Sequence, residues 1–414
     1  MIGGGAREHA LVRSLSQDPV VTELACAPGN AGIGALAELL PVDLADPLAI
    51  GDLAASWGAD FVIVGPEGPL VAGAADAVRS RGIACFGPSA RAAQLEGSKA
   101  FAKDVMAEAG VPTAMAHVCD TAEQVAAALD AFGPPYVVKD DGLAAGKGVV
   151  VTNDRDEALA HAAASGSVVV EEFLDGPEVS LFCITDGETV VPLQPAQDFK
   201  RVGDGDAGPN TGGMGAYSPL PWAPPTLVDD VVTRIVQPTV DELHRRGTPF
   251  SGVVYAGLAL TSKGPRVIEF NARFGDPETQ VVLARLESPL LGLLHAAAVG
   301  RLAEIEPPRW SDRAAVTVVI AAADYPATPR GGDVIEGLAD AELVPEAYVL
   351  HAGTALADDG TLVSAGGRVL SVTATGDDLT AARAAAYEAV AAIHLDGSHH
   401  RSDIALAAAE SARQ

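Results

Sequence analysis

Lysine is scarce in this 414-residue chain: there are six, Lys99, Lys103, Lys139, Lys147, Lys200 and Lys263. Acidic residues outnumber basic ones 55 to 27, for a formal net charge of −28. That balance excludes general nucleic-acid binding and docking on anionic membranes, which need basic patches. It leaves room for a small anion in a locally basic pocket. Aromatic residues are 5% of the chain, so the cores must rest on alanine, valine and leucine. The four cysteines (Cys26, Cys85, Cys119, Cys183) are far apart and form no C-x-x-C pair. They read as small buried residues in a reducing compartment, not as zinc ligands or a disulfide framework. No apolar run approaches the ~18 residues that cross a bilayer. Arg7, Glu8 and His9 stand where a signal peptide needs an apolar core. The expectation is a cytoplasmic protein with no nucleic-acid or membrane partner, a monomer or weak homo-oligomer.

At ~150 residues per domain, the length predicts two to four domains. From Met1 to Ser89, short apolar strands (Phe61–Val64, Gly82–Phe86) alternate with helical patterns and end in Gly-Pro turns. This is the pattern of a parallel α/β sheet, whose ligands gather at the carboxyl ends of the strands. Only Met1 and Ile2 precede Gly3, where about five strand residues are usual. The first strand therefore reads as cut short, as a misplaced start codon would make it. A helix is expected over Lys99–Ala109. Strands are expected near Tyr136–Lys139, Val149–Thr152, Val168–Glu172, Val179–Ile184, Val253–Leu260 and Arg266–Asn271. The glycine-rich stretch Asp198–Ser218 reads as a long loop, functional or disordered. After Pro307-Pro308, a last α/β segment begins at Val316–Ile320 and ends in a helix over Leu379–Ile393. The division is 1–95, a parallel α/β domain; 96–308, a middle domain of mixed strands and helices; and 309–414, a small α/β domain.

Four motifs carry chemistry. Asp141-Gly142-Leu143-Ala144-Ala145-Gly146-Lys147-Gly148 joins two strands, and its small residues let backbone N–H groups approach phosphate oxygens. No Ser or Thr follows the lysine, so it is not a Walker A loop. Lys139 ends the preceding apolar strand, where a bare charge is costly unless it meets an anion. Val168–Leu174 runs from a buried strand into Glu171-Glu172, with Glu178 beyond, and suits a nucleotide hinge. In Val267–Asp276, strand alternation puts Glu269 and Asn271 on one face and Ile268 and Phe270 on the other. Two oxygen donors at that spacing suit Mg²⁺. Arg273 continues their face if the strand runs on. Finally, Asp198, Lys200 and Arg201 precede Asn210-Thr211-Gly212-Gly213, a basic glycine-rich segment suited to a substrate phosphate. Taken alone, each also suits a plain turn or an exposed strand. Together they hold Lys139, Lys147 and Lys200, with Lys99 beside Gly97. That coincidence points to a nucleotide-binding enzyme.

A lysine-ended strand, a Gly-Lys-Gly loop, a Glu-Glu-x-Leu hinge and a Glu-x-Asn strand, in that order, resemble an ATP-grasp ligase. The strings G-G-G-A-R-E-H (Gly3–His9), A-P-G-N-A-G (Ala27–Gly32), V-G-P-E-G-P (Val64–Pro69), Q-L-E-G-S-K-A-F (Gln94–Phe101), G-P-N-T-G-G-M-G-A-Y-S-P (Gly208–Pro219) and E-F-N-A-R-F-G-D-P-E-T-Q (Glu269–Gln280) narrow it. They are similar, nearly end to end, to the glycinamide ribonucleotide synthetase family. The resemblance implies an ATP-grasp core between an N-terminal parallel α/β domain and a small C-terminal domain. It also implies ATP with Mg²⁺ or Mn²⁺, and the small molecules glycine and 5-phosphoribosylamine, joined through glycyl phosphate in purine biosynthesis. Lys99 and Lys139 would hold the ATP phosphates, and Gly142, Gly146, Lys147 and Gly148 would cover them. Glu171, Glu172 and Leu174 would read adenine, and Glu178 the ribose. Glu269 and Asn271 would hold the metal. Arg7, Glu8, Asn30, Pro66, Glu67, Asp198, Lys200, Arg201, Asn210, Thr211, Gly212 and Gly213 would bind phosphoribosylamine. Arg273 would face the acyl phosphate and the glycine carboxylate. Arg273, Lys147 and Asp198 are the implied catalytic residues.

Three features depart from the family pattern: the short first strand, Asp140 where a small residue is usual, and a short stretch between Val151 and Val168. Alternation from Lys139 turns Asp140 to the far face, so it should be tolerated. Other readings are a biotin-carboxylase-like or formate-dependent ATP-grasp enzyme, and an ATP-binding homologue impaired by its first strand. Gly3-Gly4-Gly5 alone also suits a dinucleotide-dependent oxidoreductase, whose acidic ribose ligand about 20 residues on would be Glu23.

Overall fold

The computed structural model describes residues 1–143 and 148–411. Its first segment holds strands β1 (Ile2–Gly3), β2 (Ala25–Pro28), β3 (Glu38–Leu39), β4 (Phe61–Ile63) and β5 (Ala84–Phe86). β1 pairs with β2, β2 with β3 and β4 with β5, all parallel, and a parallel bridge from Ile2 to Val64 joins the halves. The order is therefore β3-β2-β1-β4-β5. Short as it is, β1 is central and bonded on both sides. Ala27 N–H donates to Met1 O at 2.9 Å and Gly65 N–H to Ile2 O at 2.9 Å. The strand order reverses between β1 and β4, the place where open α/β sheets bind ligands. The helix Ala6–Ser16 starts at that point and buries Ala6, Ala10, Leu11 and Leu15 at helical spacing.

The middle of the chain begins with the helix Lys99–Ala109, whose N-cap Ser98 accepts from Phe101 N–H, and which stops at Gly110 with φ of 65°. Strands β6 (Ala116–Cys119), β7 (Tyr136–Asp140), β8 (Val149–Thr152) and β9 (Val168–Glu171) then form an antiparallel sheet, β6-β9-β7-β8. The helix Arg155–Ala164 occupies most of the short stretch after β8. Val125, Leu129, Val138, Ala158, Val168 and Val170 close a core of this lobe's own.

Next come β10 (Glu178–Asp186) and β11 (Val190–Pro192). The stretch expected as a long loop is instead largely strand: β12 (Gln197–Asp198), β13 (Arg201–Gly203), β14 (Ala207–Asn210) and β15 (Gly215–Ser218). Its glycines serve a tight β13–β14 hairpin and close packing, not disorder. Long strands β16 (Ser251–Thr261) and β17 (Gly264–Asn271) complete the antiparallel sheet β11-β10-β16-β17.

One expectation for β17 fails. Gly257 pairs with Glu269, but the next residue, Leu258, pairs with Val267, so Ile268 is a bulge. The core residues are therefore Val267 and Phe270, not Ile268 and Phe270, while Ile268 is only partly buried. Glu269 and Asn271 lie beyond the bulge and keep their shared face.

The last segment supplies β18 (Ala314–Ala321), β19 (Ala347–His351) and β20 (Arg368–Gly376), with the helix Leu379–Ala392 packed against β18 and β20. Its sheet runs β12-β15-β18-β20-β19, so two of its five strands come from the glycine-rich stretch far upstream. No described helix is long and apolar enough to cross a membrane. The four cysteines are buried and unpaired.

Candidate active site

Alternation along β7 sends the Lys139 side chain inward, where Nζ meets Glu171 Oε2 at 2.8 Å and Ile268 O at 2.9 Å. The other Glu171 oxygen takes Lys103 Nζ at 3.0 Å. Lys103 also donates to Thr113 Oγ1 and Ala114 O, and burial pushes its pKa down against the pull of Glu171. Lys103 had no role in the sequence reading. Its signal was its position one turn after Lys99, on the same helix face. Asp140 turns away from Lys139, as expected, and accepts from Ser165 Oγ at 2.6 Å.

The glycine loop is tied to the start of the helix Lys99–Ala109. Lys99 Nζ donates to Gly142 O at 3.0 Å, and Asp141 accepts from Ser98 Oγ and Ala100 N–H. Gly148 is buried, and its carbonyl accepts from Asp140 N–H. Gly146 and Lys147 lie outside the described residues. At the hinge, Glu172 Oε1 accepts from Met115 N–H at 2.9 Å and from Arg266 at 2.6 Å. Leu174 follows, partly buried.

Glu269 is the point on which the motifs converge. Burial would raise its pKa, but Lys200, Lys139, Lys99 and Arg273 overcome that and hold it below the usual range. It is thus an ionised oxygen donor, with the buried Asn271 amide two residues on. Among the described residues, no three His, Cys, Asp or Glu side chains form a metal cage. One carboxylate and one amide fit Mg²⁺ or Mn²⁺ that takes its other ligands from substrate phosphates and water.

β17 stops at Asn271, so Arg273 does not continue its face as a strand residue. It bends instead into a carboxylate pair, Glu67 at 3.1 Å and Glu96 at 3.1 Å. Glu67 is buried enough to be raised, yet Arg273 and Arg7 bring it down to about 2. Glu96, which also accepts from Ala272 N–H, is raised by burial.

Lys200 pairs with Glu178. Burial would lower the lysine, but Asp198, Glu178 and Glu269 hold it well above the ordinary value. Asp198 goes the other way. Burial, with Glu278 and Glu178 nearby, pushes it up to about 7 despite Lys200. Thr211 closes the turn by donating from N–H and Oγ1 to Lys200 O, both at 2.8 Å. Gly212 and Gly213 are required by contact. A Cβ on Gly213, where φ is 110°, would fall 2.4 Å from Pro277, and one on Gly212 would meet the Arg368 guanidinium at 3.0 Å. Arg368 comes from β20 and bonds Gly212 O (2.6 Å) and Asp276 O (2.7 Å). Arg201 and Asn210 face each other in the hairpin, and Arg201 is engaged with Gly208 O.

At the ends of β1, β2 and β4, Glu8 fills the space where side chains on Gly3 and Gly65 would sit. It accepts from Gly5 N–H at 2.7 Å and from Arg7 at 2.6 Å. Arg7 reaches on to Phe274 O, and Pro66 caps the short helix that opens with Glu67. Asn30 is engaged on both sides of its amide. Its Nδ2 donates to Gly4 O and His351 O, and its Oδ1 accepts from Ile33 N–H.

Sequence reasoning assigned nothing to Glu278, Tyr255 or Ser180. The buried Glu278 carboxylate accepts from the Tyr255 and Ser180 hydroxyls. Glu278 lies inside the Glu269–Gln280 string, so that string was its only signal.

An antiparallel lobe closing over a long-stranded sheet, with lysines and a carboxylate–amide pair between them, defines an ATP-grasp protein. Family comparison is more specific. Sequence models of phosphoribosylglycinamide synthetase match in three pieces: the N domain at residues 1–96, the ATP-grasp (A) domain at 97–279 and the C domain at 315–407. The chain belongs to the phosphoribosylglycinamide synthetase family. It is 71% identical to a phosphoribosylamine–glycine ligase of Streptomyces coelicolor over 411 residues, 99% of each chain. It is 60% identical to one of Mycobacterium bovis, over 99% of this chain and 98% of that one. A crystal structure of the phosphoribosylamine–glycine ligase from Thermotoga maritima superposes with a TM-score of 0.85 at 32% identity, covering 97% of this chain and 98% of that chain. A biotin carboxylase domain from Hydrogenobacter thermophilus, 17% identical with a TM-score of 0.71, shares the fold alone.

Proposed function

We propose that this chain joins glycine to 5-phosphoribosylamine at the expense of ATP, giving glycinamide ribonucleotide, ADP and phosphate. The observation that carries the reading is that Lys99, Lys139 and Lys200, from three separate stretches of the chain, lie near enough to Glu269 to lower its pKa, together with Arg273 of its own motif. The names and full-length similarity of the relatives support the same reaction.

A carboxylate acylates poorly because its leaving group would be oxide. Transfer of the γ-phosphoryl group to glycine gives glycyl phosphate, and the sugar amine then displaces phosphate. Lys99 and Lys139 hold the ATP phosphates, where fixed cations offset charge developing on the phosphoryl oxygens. The hinge at Glu171, Glu172 and Leu174 meets adenine, with Glu178 toward the ribose. Glu269 and Asn271 hold Mg²⁺ or Mn²⁺, which supplies further charge compensation when bound. Arg273 orients the glycine carboxylate. Arg7, Glu8, Asn30, Pro66 and Glu67 frame the sugar side at the strand ends. Asp198, Lys200, Arg201 and Asn210–Gly213 close over it. The buried cysteines take no part.

The test is ADP release by the purified protein, with glycine and freshly generated phosphoribosylamine supplied together and then each omitted. Release that needs both is expected. Equal release with either one missing overturns the reading.

A further inference from the structure

Arg401 has the largest fully buried side chain among the described residues, at 1% exposure. A charge out of water persists only where it is paired and hydrogen-bonded. One pair is local: Asp403 takes Nε and Nη2 in a two-pronged bond, both at 2.7 Å. The other contacts lie almost 200 residues upstream, in the stretch around the β13–β14 hairpin. Nη1 donates to Asp206 Oδ1 at 2.7 Å and to Arg201 O at 3.2 Å. The guanidinium carbon lies 4.8 Å from the centre of the Phe199 ring. The flanking residues repeat the grip. Ser402 N–H donates to Asp204 Oδ1 at 2.8 Å, and Gly205 N–H donates to Asp403 Oδ2 at 2.8 Å. The base is firm, because the Tyr387 hydroxyl donates to Arg401 O and accepts from Ile404 N–H.

Phe199 and Arg201 are the two neighbours of Lys200. Lys200 lies between β12 and β13, outside either strand. Arg401 grips the Phe199 ring and the Arg201 carbonyl on either side of it, while the Lys200 side chain pairs with Glu178. We propose that Arg401 is a positioning residue for Lys200. Through the β13–β14 hairpin it fixes the lysine and the Asn210–Gly213 turn where the phosphorylated amine binds. The C-terminal segment thereby sets affinity for that substrate without touching it. This inference rests on the ligase reading above.

The test compares wild type with R401M, R401K and D206N, reading KM for phosphoribosylamine, KM for ATP, kcat and the thermal transition. R401M loses the charged hydrogen bonds to Asp403, Asp206 and Arg201 O, so its KM for phosphoribosylamine should rise about tenfold or more, with KM for ATP within about twofold. R401K keeps the charge without the two-pronged geometry and should recover part of the loss. Asp206 is exposed, so D206N should keep the wild-type transition and shift the same KM by about twofold to threefold. It keeps the test open if R401M does not fold. An unchanged KM for phosphoribosylamine in D206N and R401K, or a matching rise in both Michaelis constants, overturns the proposal. Wild-type protein that releases no ADP with both substrates present overturns the ligase reading instead.

Discussion

The antiparallel lobe β6–β9 packs on a core of its own, whereas the N-terminal sheet shares its core with the rest of the chain. Leu129, Val138, Ala158 and Val170 close one small cluster. Ile2, Val62 and Val64 belong instead to a cluster that also takes in Leu181 and Val254 of the long sheet and Val316 and Val372 of the last segment. The lobe is tied down mainly by polar links: Lys139 to Ile268 O, Lys103 to Glu171, Arg266 to Glu172 and Lys99 to Gly142 O. A lobe joined in this way can tilt without opening an apolar core. The N-terminal sheet cannot, because moving it would expose buried surface. The lesson is that charged and polar links fasten the lobe, while apolar packing fastens the N-terminal sheet.

Four experiments would break or sharpen this contrast. The largest effect is expected where the two sides meet. Glu269→Ala should lower kcat by about a thousandfold, ~4 kcal/mol of barrier, with an unchanged thermal transition. Near-normal turnover would remove Glu269 from the site. Leu129→Ala should cost ~2–5 kcal/mol, since it opens a cavity in the small core. Faster amide exchange should be confined to β6–β9, whereas Leu11→Ala should loosen the N-terminal and last segments together. Exchange spreading evenly from Leu129→Ala would show that the lobe has no separate core. Asn30→Ala leaves Gly4 O and His351 O without their donor and should cost ~1–3 kcal/mol of global stability. An altered KM for ATP in that variant would contradict its place on the sugar side.

The smallest effect is a pH dependence. Asp198 titrates near 7 in the folded chain against an ordinary 3.8, because burial and the neighbouring Glu278 and Glu178 carboxylates outweigh Lys200. It therefore loses charge as pH falls through about 7, and kcat/KM for the phosphorylated amine should fall by up to about tenfold per unit below that point. Asp198→Asn should flatten the profile. The stability term has the opposite sense. A raised carboxyl favours the folded state fully below pH ~4, and that contribution is lost as pH rises to about 7. Thermal transitions of wild type and Asp198→Asn across this range check the sign.

Much of the fold was legible because it is local. The helix Lys99–Ala109 has its serine cap, its apolar spacing and its terminal glycine within one string. The strands at 136–140, 149–152 and 168–171 are valine-rich runs between turn residues. Of the site, Lys99, Lys139, Glu269 and Asn271 could be placed because each sits in or beside a short motif whose spacing sets its face. Ile268 could not. Its bulge is decided by how β17 pairs with β16, and a one-residue shift there leaves no mark on alternation. The stretch Asp198–Ser218 resembled a loop because β12 and β15 are short and set among glycine-rich turns, and they become strands only when β18 arrives beside β15.

The amino-acid sequence by itself therefore determined the family, the local elements and the short motifs that hold the candidate site residues. These depend on residues within a few positions of one another. Tertiary structure alone decided which distant groups meet. Lys103 with Glu171, Arg273 with Glu67 and Glu96, Arg368 with the Gly212 carbonyl and Arg401 with Asp206 are brought together by the packing of segments far apart in the chain. Such pairing is settled by the shared burial of apolar faces, which records that two strands must be covered but not by which partner.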